Sequence, residues 1–205
     1  MKPIVVDIEM SGVDAVRCGI WQIGAIDLET KEEFLEEGRI DDEDEILNEP
    51  DASRHVLEVI GKTEEELRDK TKQSQKKLLE KFFKWVETRK MKNLVCQNAM
   101  DISFLDVKLR KYKLVKPYHF RFFDTHSIAH TIYFKIHGKF FTEGKRFSNL
   151  GLKNILKMCG MKDNRDTHNA LEDAKLTAEC FSRLMFGEKL LEEYSRYEIP
   201  KELKK

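Results

Sequence analysis

The chain has 205 residues, 40% of them hydrophobic and 36% charged, with 37 basic side chains against 37 acidic ones. That length can bury the core of one domain without disulfides, and so many charges beside 13 Phe and 2 Trp exclude a disordered chain. No stretch approaches the roughly 20 apolar residues of a membrane-spanning helix, and Asp7 and Glu9 interrupt the first apolar run too early for a secretory leader.

Pro3 to Ile8 is β-branched and apolar and predicts a central strand. Ile20 to Leu28 predicts a second, and Glu29-Thr30-Lys31 a turn into a third over Glu32 to Ile40. A short helix opens at Pro50-Asp51-Ala52-Ser53 and ends at Gly61, and Thr63 with Glu66 forms a capping box. Ser74 to Lys90 is amphipathic, with Leu78, Leu79, Phe82, Phe83 and Val86 at i, i+1, i+4, i+5 and i+8, one helical face. A short buried strand follows at Asn93 to Gln97, a helix at Ile102 to Lys113 and a strand at Arg121 to Asp124. Helices are expected over Thr125 to His137, Ser148 to Cys159 and Asn169 to Phe186. This order predicts one α/β domain over residues 1–187, with a charged helical tail over 188–205.

Zero net charge hides an asymmetry. Residues 27–67 hold 17 acids and 4 bases, whereas residues 68–157 hold 22 bases and 7 acids. The run Asp41 to Glu45 reads as a solvated loop. The stretch containing Lys108, Arg110, Lys111, Tyr112, Lys113, Lys116, Tyr118 and His119 reads either as solvated helix or as a surface for a polyanion. Cys18, Cys96, Cys159 and Cys180 lie far apart, without a CxxC pair. They suit reduced thiols in the cytoplasm and disfavour zinc.

Three segments put acids where burial is expected. Asp7 and Glu9 are two residues apart at the end of an apolar strand, so period two sets them on one face. Asp101 opens the helix after a buried strand, as a cap or as a ligand, with Asp106 a flanking competitor. Asp173 sits among Ala170, Ala174 and Thr177, small residues that let another element approach, and His168 precedes that helix. Strand and helix ends of an α/β domain converge at one sheet edge. Four carboxylates there suit hard divalent cations such as Mg²⁺ or Mn²⁺. Two such ions can activate water and stabilise a leaving oxygen in phosphodiester hydrolysis, with a neutral His as general base.

These residues resemble the DEDD superfamily of 3′-to-5′ exonucleases, in its His-containing DEDDh branch (DnaQ-like). Asp7-Ile8-Glu9-Met10-Ser11-Gly12 looks like its first motif, and Asn98-Ala99-Met100-Asp101 with Phe104-Leu105 looks like its second. His168 to Asp173 looks like the third, H-x-A-x-x-D. The resemblance implies a ribonuclease-H-like fold: a mixed five-stranded sheet with helices on both sides. It implies that Asp7, Glu9, Asp101 and Asp173 hold two Mg²⁺ or Mn²⁺ ions and that His168 is the base. It implies further that Met10, Ser11, Gly12, Val13, Asn98 and Phe104 border the terminal nucleotide. Met10 and Cys96 depart from the commoner family pattern, Met10 toward the oligoribonuclease-like branch.

The expected partner is nucleic acid with a free 3′ end, preferably single-stranded, and no membrane. A polymerase or repair partner could act in trans. The expected products are nucleoside 5′-monophosphates. Alternatives are an oligoribonuclease-like or RNA-trimming enzyme, a non-catalytic nucleic-acid-binding module on the same fold, and a scaffold with fortuitous acids.

Overall fold

The computed structural model describes residues 1–48, 55–142, 144, 146–165 and 168–204. The β-branched run forms β1 (Ile4–Met10), antiparallel to β2 (Ile20–Asp27) and parallel to β4 (Leu94–Cys96). β3 (Glu33–Glu37) and β5 (Phe123–Asp124) complete a sheet of order β3-β2-β1-β4-β5. A mixed five-stranded sheet flanked by helices is the ribonuclease-H-like architecture the motifs imply.

Period two divides β1 between two layers. Ile4, Val6 and Ile8 join the core made with α3 (Gln75–Glu87) and α4 (Met100–Tyr112). Val5 packs with Ala174, Ala178 and Phe181 of α7 (Ala170–Phe186) on the other layer. Alternation then carries Asp7 and Glu9 to the α7 side. On α3 the five apolar positions are all buried, contributing on the order of 10 kcal/mol before the entropy of ordering.

α7 comes unusually close to the sheet. A Cβ on Gly24 of β2 would lie 2.1 Å from the Ala170 carbonyl carbon, so only glycine admits the helix start there. Gln22 fixes the contact: its Oε1 accepts the Ala170 N–H at 2.8 Å and its Nε2 donates to Glu37. The register of β2 thereby determines where Asp173 stands.

α1 (Val56–Ile60) ends at Gly61, whose φ of 63° is left-handed. Its expected start at Pro50 to Ser53 lies outside the described residues. α2 (Glu64–Leu67) carries the Thr63–Glu66 capping box. α5 (Thr125–His137) spans its expected range. α6 (Leu152–Met158) is shorter than expected, because the Ser148 hydroxyl is held by His126 and His130 and the chain stays extended through Gly151. β3 stops at Glu37, where Arg39 turns to bond Gln73. Among the described residues no helix is long and apolar enough to cross a membrane.

Residues 188–204 form two single-turn 3-10 helices on α7. A fully buried pair, Glu179 and Arg183, holds them at 2.7 Å separation. Arg183 donates to the carbonyls of Cys159 and Tyr194, and Glu179 accepts the N–H groups of Leu190 and Leu191.

The charge asymmetry proves to be internal. Asp44 is not solvated: it is 3% exposed, accepts from Gln75 at 2.7 Å and meets the fully buried Lys108 at 3.1 Å. Lys111 bridges Asp41, Glu43 and Asp44, and Lys116 binds Asp106. Lys70, Lys72, Lys81 and Arg89 pair with Asp42, Glu37, Glu36 and Glu32. Much of the basic stretch thus neutralises the acidic one, so Lys108 and Lys111 are not free for a polyanion.

Candidate active site

β1 and β4 run parallel, so both chains leave the sheet at the same edge. There Asp7, Glu9 and Met10 from β1 meet Gln97, Asn98 and Asp101 from the β4–α4 turn. Arg165, His168 and Asp173 close the far side, and Gly151 to Lys153 form the rim. The cavity they line holds about 420 Å³.

Glu9, His168 and Asp173 offer donor atoms that all lie within 4.8 Å of one another, the candidate cation site among the described residues. His168 Nδ1 is 3.3 Å from Asp173 Oδ2, and His168 stays 43% exposed. Asp173 is buried, and its Oδ1 has no hydrogen-bond partner in the protein. A buried carboxylate oxygen without a donor is costly unless something positive completes it. That unmet oxygen, in an all-oxygen-plus-imidazole donor set, fits a hard divalent cation.

The electrostatics agree. Burial, then the charges of Asp101, Glu9 and Asp173, push Asp7 well above its usual range. Burial pushes Glu9 up to about 7, although His168 pulls the other way. Burial likewise raises Asp101 to about 8 against two backbone hydrogen bonds. His168 is raised, chiefly by its hydrogen bond to Asp173. These acids hold protons that a cation would displace.

Asp101 is the second residue of α4 and no cap; the Asn98 side chain accepts the Met100 N–H in that turn. Asp106 faces away, bound by Lys116 and Tyr118. Of the residues expected around a terminal nucleotide, Met10 and Asn98 line the cavity. Ser11 is fully buried, donating to the Glu45 carbonyl and accepting the Gly19 N–H. Gly12 packs against Leu47, and Phe104 lies in the core under α4, so neither reaches the cavity; Val13 is half-buried outside its lining.

Arg165 is the residue that motif reasoning missed. Its Nη1 donates to Asp173 Oδ2 at 2.9 Å, while Asp163 holds the same guanidinium at 2.8 Å through two oxygens. A base three positions before His168 was the available signal. Lys153 on the rim was also unmarked.

A model of the exonuclease family RNase_T matches residues 4–181. No curated protein sequence matches the chain. Among solved structures, the nuclease domain of 3′hExo, a DEDDh family member bound to rAMP, is 17% identical with a TM-score of 0.63, covering 92% of this chain and 94% of that one. A 3′-exonuclease solved for recognition of the histone mRNA stem-loop is 15% identical with a TM-score of 0.65, over 92% of this chain and 65% of that one. E. coli exonuclease I in complex with a dT13 oligonucleotide is 14% identical with a TM-score of 0.63; 89% of this chain covers 41% of that enzyme. The chain belongs to this exonuclease family, and its fold is the ribonuclease-H-like one shared with these structures.

Proposed function

We propose that this exonuclease degrades single-stranded nucleic acid by a two-cation mechanism, with Asp7, Glu9, Asp101 and Asp173 holding Mg²⁺ or Mn²⁺ and His168 as general base. The unpartnered, buried Oδ1 of Asp173 beside Glu9 and His168 is the observation that carries this reading. When bound, the cations supply Lewis acidity toward the scissile phosphate and the leaving oxygen.

The chain's own groups do the rest. His168 is exposed enough to meet water and close enough to Asp173 to be oriented by it. It takes one proton from the attacking water. The new oxygen–phosphorus bond forms as the bond from phosphorus to the upstream 3′ oxygen breaks, and that oxygen takes up a proton. A nucleoside 5′-monophosphate leaves, and the strand is one residue shorter. Met10 and Asn98 border the terminal nucleotide, and Lys153 offers its charge to a phosphate. The free, buried cysteines suit the reducing cytoplasm, alone or beside a polymerase or repair partner in trans.

Digestion of 5′-labelled single strands of DNA and RNA tests this. A ladder shortening from the 3′ end in Mn²⁺, silence in EDTA and resistance of circular strands are expected. Asp7→Asn should abolish the ladder without lowering the melting temperature of the metal-free protein, because burial and the neighbouring acids already disfavour the charged form of this carboxyl. Cutting of circles, or full activity in EDTA, would overturn the reading.

A further inference from the structure

Beside the catalytic cavity lies a second cleft of about 420 Å³ on the outer face of α5. His126, His130 and Phe134 repeat at i, i+4 and i+8, so one helix face presents three rings in a row. Phe140, from the segment after α5, sets its ring 4.9 Å from Phe134 and edge-on to His130 at 5.2 Å. Phe134 is 43% exposed and Phe140 65%, although a chain of this size has core in which to bury them. Lys135 lines the cleft and Lys139 flanks Phe140; both are exposed, and no acid lines the cleft among the described residues.

The rings are held from beneath. The Ser148 hydroxyl lies 2.8 Å from His126 Nε2 and 3.3 Å from His130 Nδ1, and His130 Nε2 accepts the Phe141 N–H at 3.1 Å. The same framework is tied to residues that line the catalytic cavity. The His126 N–H donates to the carbonyl of Gln97, which lines that cavity, and Ser148 lies three residues before the rim residue Gly151. The two clefts are therefore neighbours, joined through the His126–Gln97 backbone hydrogen bond.

We propose that this cleft is a stacking subsite for bases upstream of the 3′-terminal nucleotide of a single strand. The inference rests on the exonuclease reading of the neighbouring cavity. Flat aromatic faces accept any unstacked base, and adjacent lysines track its phosphates; together they give sequence-tolerant, salt-sensitive binding of single strands. A duplex keeps its base faces stacked and gains nothing here. The chemistry is that of a strand passing from one cleft to the next, so length of substrate, and not identity of base, is what the subsite reads.

The test compares a dinucleotide with a 12-mer single strand, using the full chain and the double variant Phe134→Ala/Phe140→Ala. For the 12-mer, KM should rise about tenfold or more, while kcat/KM for the dinucleotide, too short to span both clefts, should hold. A 12-mer with abasic sites at the third to fifth positions from the 3′ end should lose the same factor on the wild-type chain and little more on the variant. Phe140→Tyr alone, which keeps the ring, should leave 12-mer binding at the wild-type level. Fluorescence anisotropy of the 12-mer in EDTA repeats the comparison without turnover: weakened binding by the variant would support the subsite even if the wild-type chain cut nothing, an outcome that would sink the catalytic reading alone. Equal losses for dinucleotide and 12-mer, or no loss for the 12-mer in either assay, would overturn the proposal.

Discussion

Arg165 sits 2.9 Å from Asp173 and so lends its positive charge to a carboxylate of the proposed cation site. Asp163 chelates the other edge of the guanidinium, so the charge is held in place. In the metal-free protein Arg165 acts as a resident counter-ion, and it lowers the proton affinity of Asp7 and Glu9. Arg165→Leu should therefore lower the melting temperature of the metal-free chain and raise its affinity for Mn²⁺ several-fold, since the competitor is gone. Calorimetry of Mn²⁺ binding with thermal melts in EDTA checks both. A variant that binds Mn²⁺ more weakly would show that Arg165 supports the cation site instead of competing with it.

Proton linkage gives a second expectation. Glu9, near 7, and Asp101, near 8, have folded values above their ordinary ones, 4.5 and 3.8. Groups raised on folding stabilise the fold below their unfolded values, and that stability is lost as pH rises through the folded ones. The metal-free protein should thus melt at a lower temperature at pH 9 than at pH 5.5, once general acid effects are matched with an Asp101→Asn control. Mn²⁺ binding near pH 6.5 should release about one to two protons. Titrations in buffers of different ionisation enthalpy count them; a proton count near zero would contradict the raised acids.

His168→Ala should slow turnover by about 10²–10⁴-fold, the range for a positioned general base. The Glu9–His168–Asp173 grouping leaves one competing role, that of a ligand. Mn²⁺ calorimetry separates them: affinity should hardly change if His168 moves protons, and collapse if it ligates.

Lys108 gives the opposite kind of result. It is fully buried against Asp44, and removing one partner of such a pair costs about 3–5 kcal/mol. Lys108→Met should lower the melting temperature by roughly 6–20 °C at this chain length. The salt dependence of oligonucleotide binding should not change, because this lysine never faces solvent. A flattened salt slope at unchanged stability would return Lys108 to the nucleic-acid surface.

What could be read from sequence followed from local pattern. Asp7 and Glu9 stand out because acids interrupt a β-branched strand, and Asp173 because Ala170, Ala174 and Thr177 promise close packing. The heptad-like spacing on α3 determined its buried face. Asp44 escaped, since an acid within an acidic run gives no local sign of a buried lysine 64 residues away. Arg165 escaped because it lies in an irregular segment, where no periodicity says which way a side chain points. Ser11 and Phe104 show the converse: a motif gives position along the chain, while their side chains turn inward to Glu45 and to the core.

The two edges of the sheet bear on how copies of this chain can meet. β5 is only two residues long, too short to template a neighbouring strand. β3 is longer but carries Glu33, Glu36 and Glu37 among its five residues, with Lys72, Lys81 and Lys175 drawn over them. Two such edges brought together would set like charges side by side and displace those lysines, so strand-to-strand fibre growth is closed off at both ends of the sheet. With both edges closed to a neighbouring strand, the sheet is free to serve as rigid backing for the carboxylates at the end of β1.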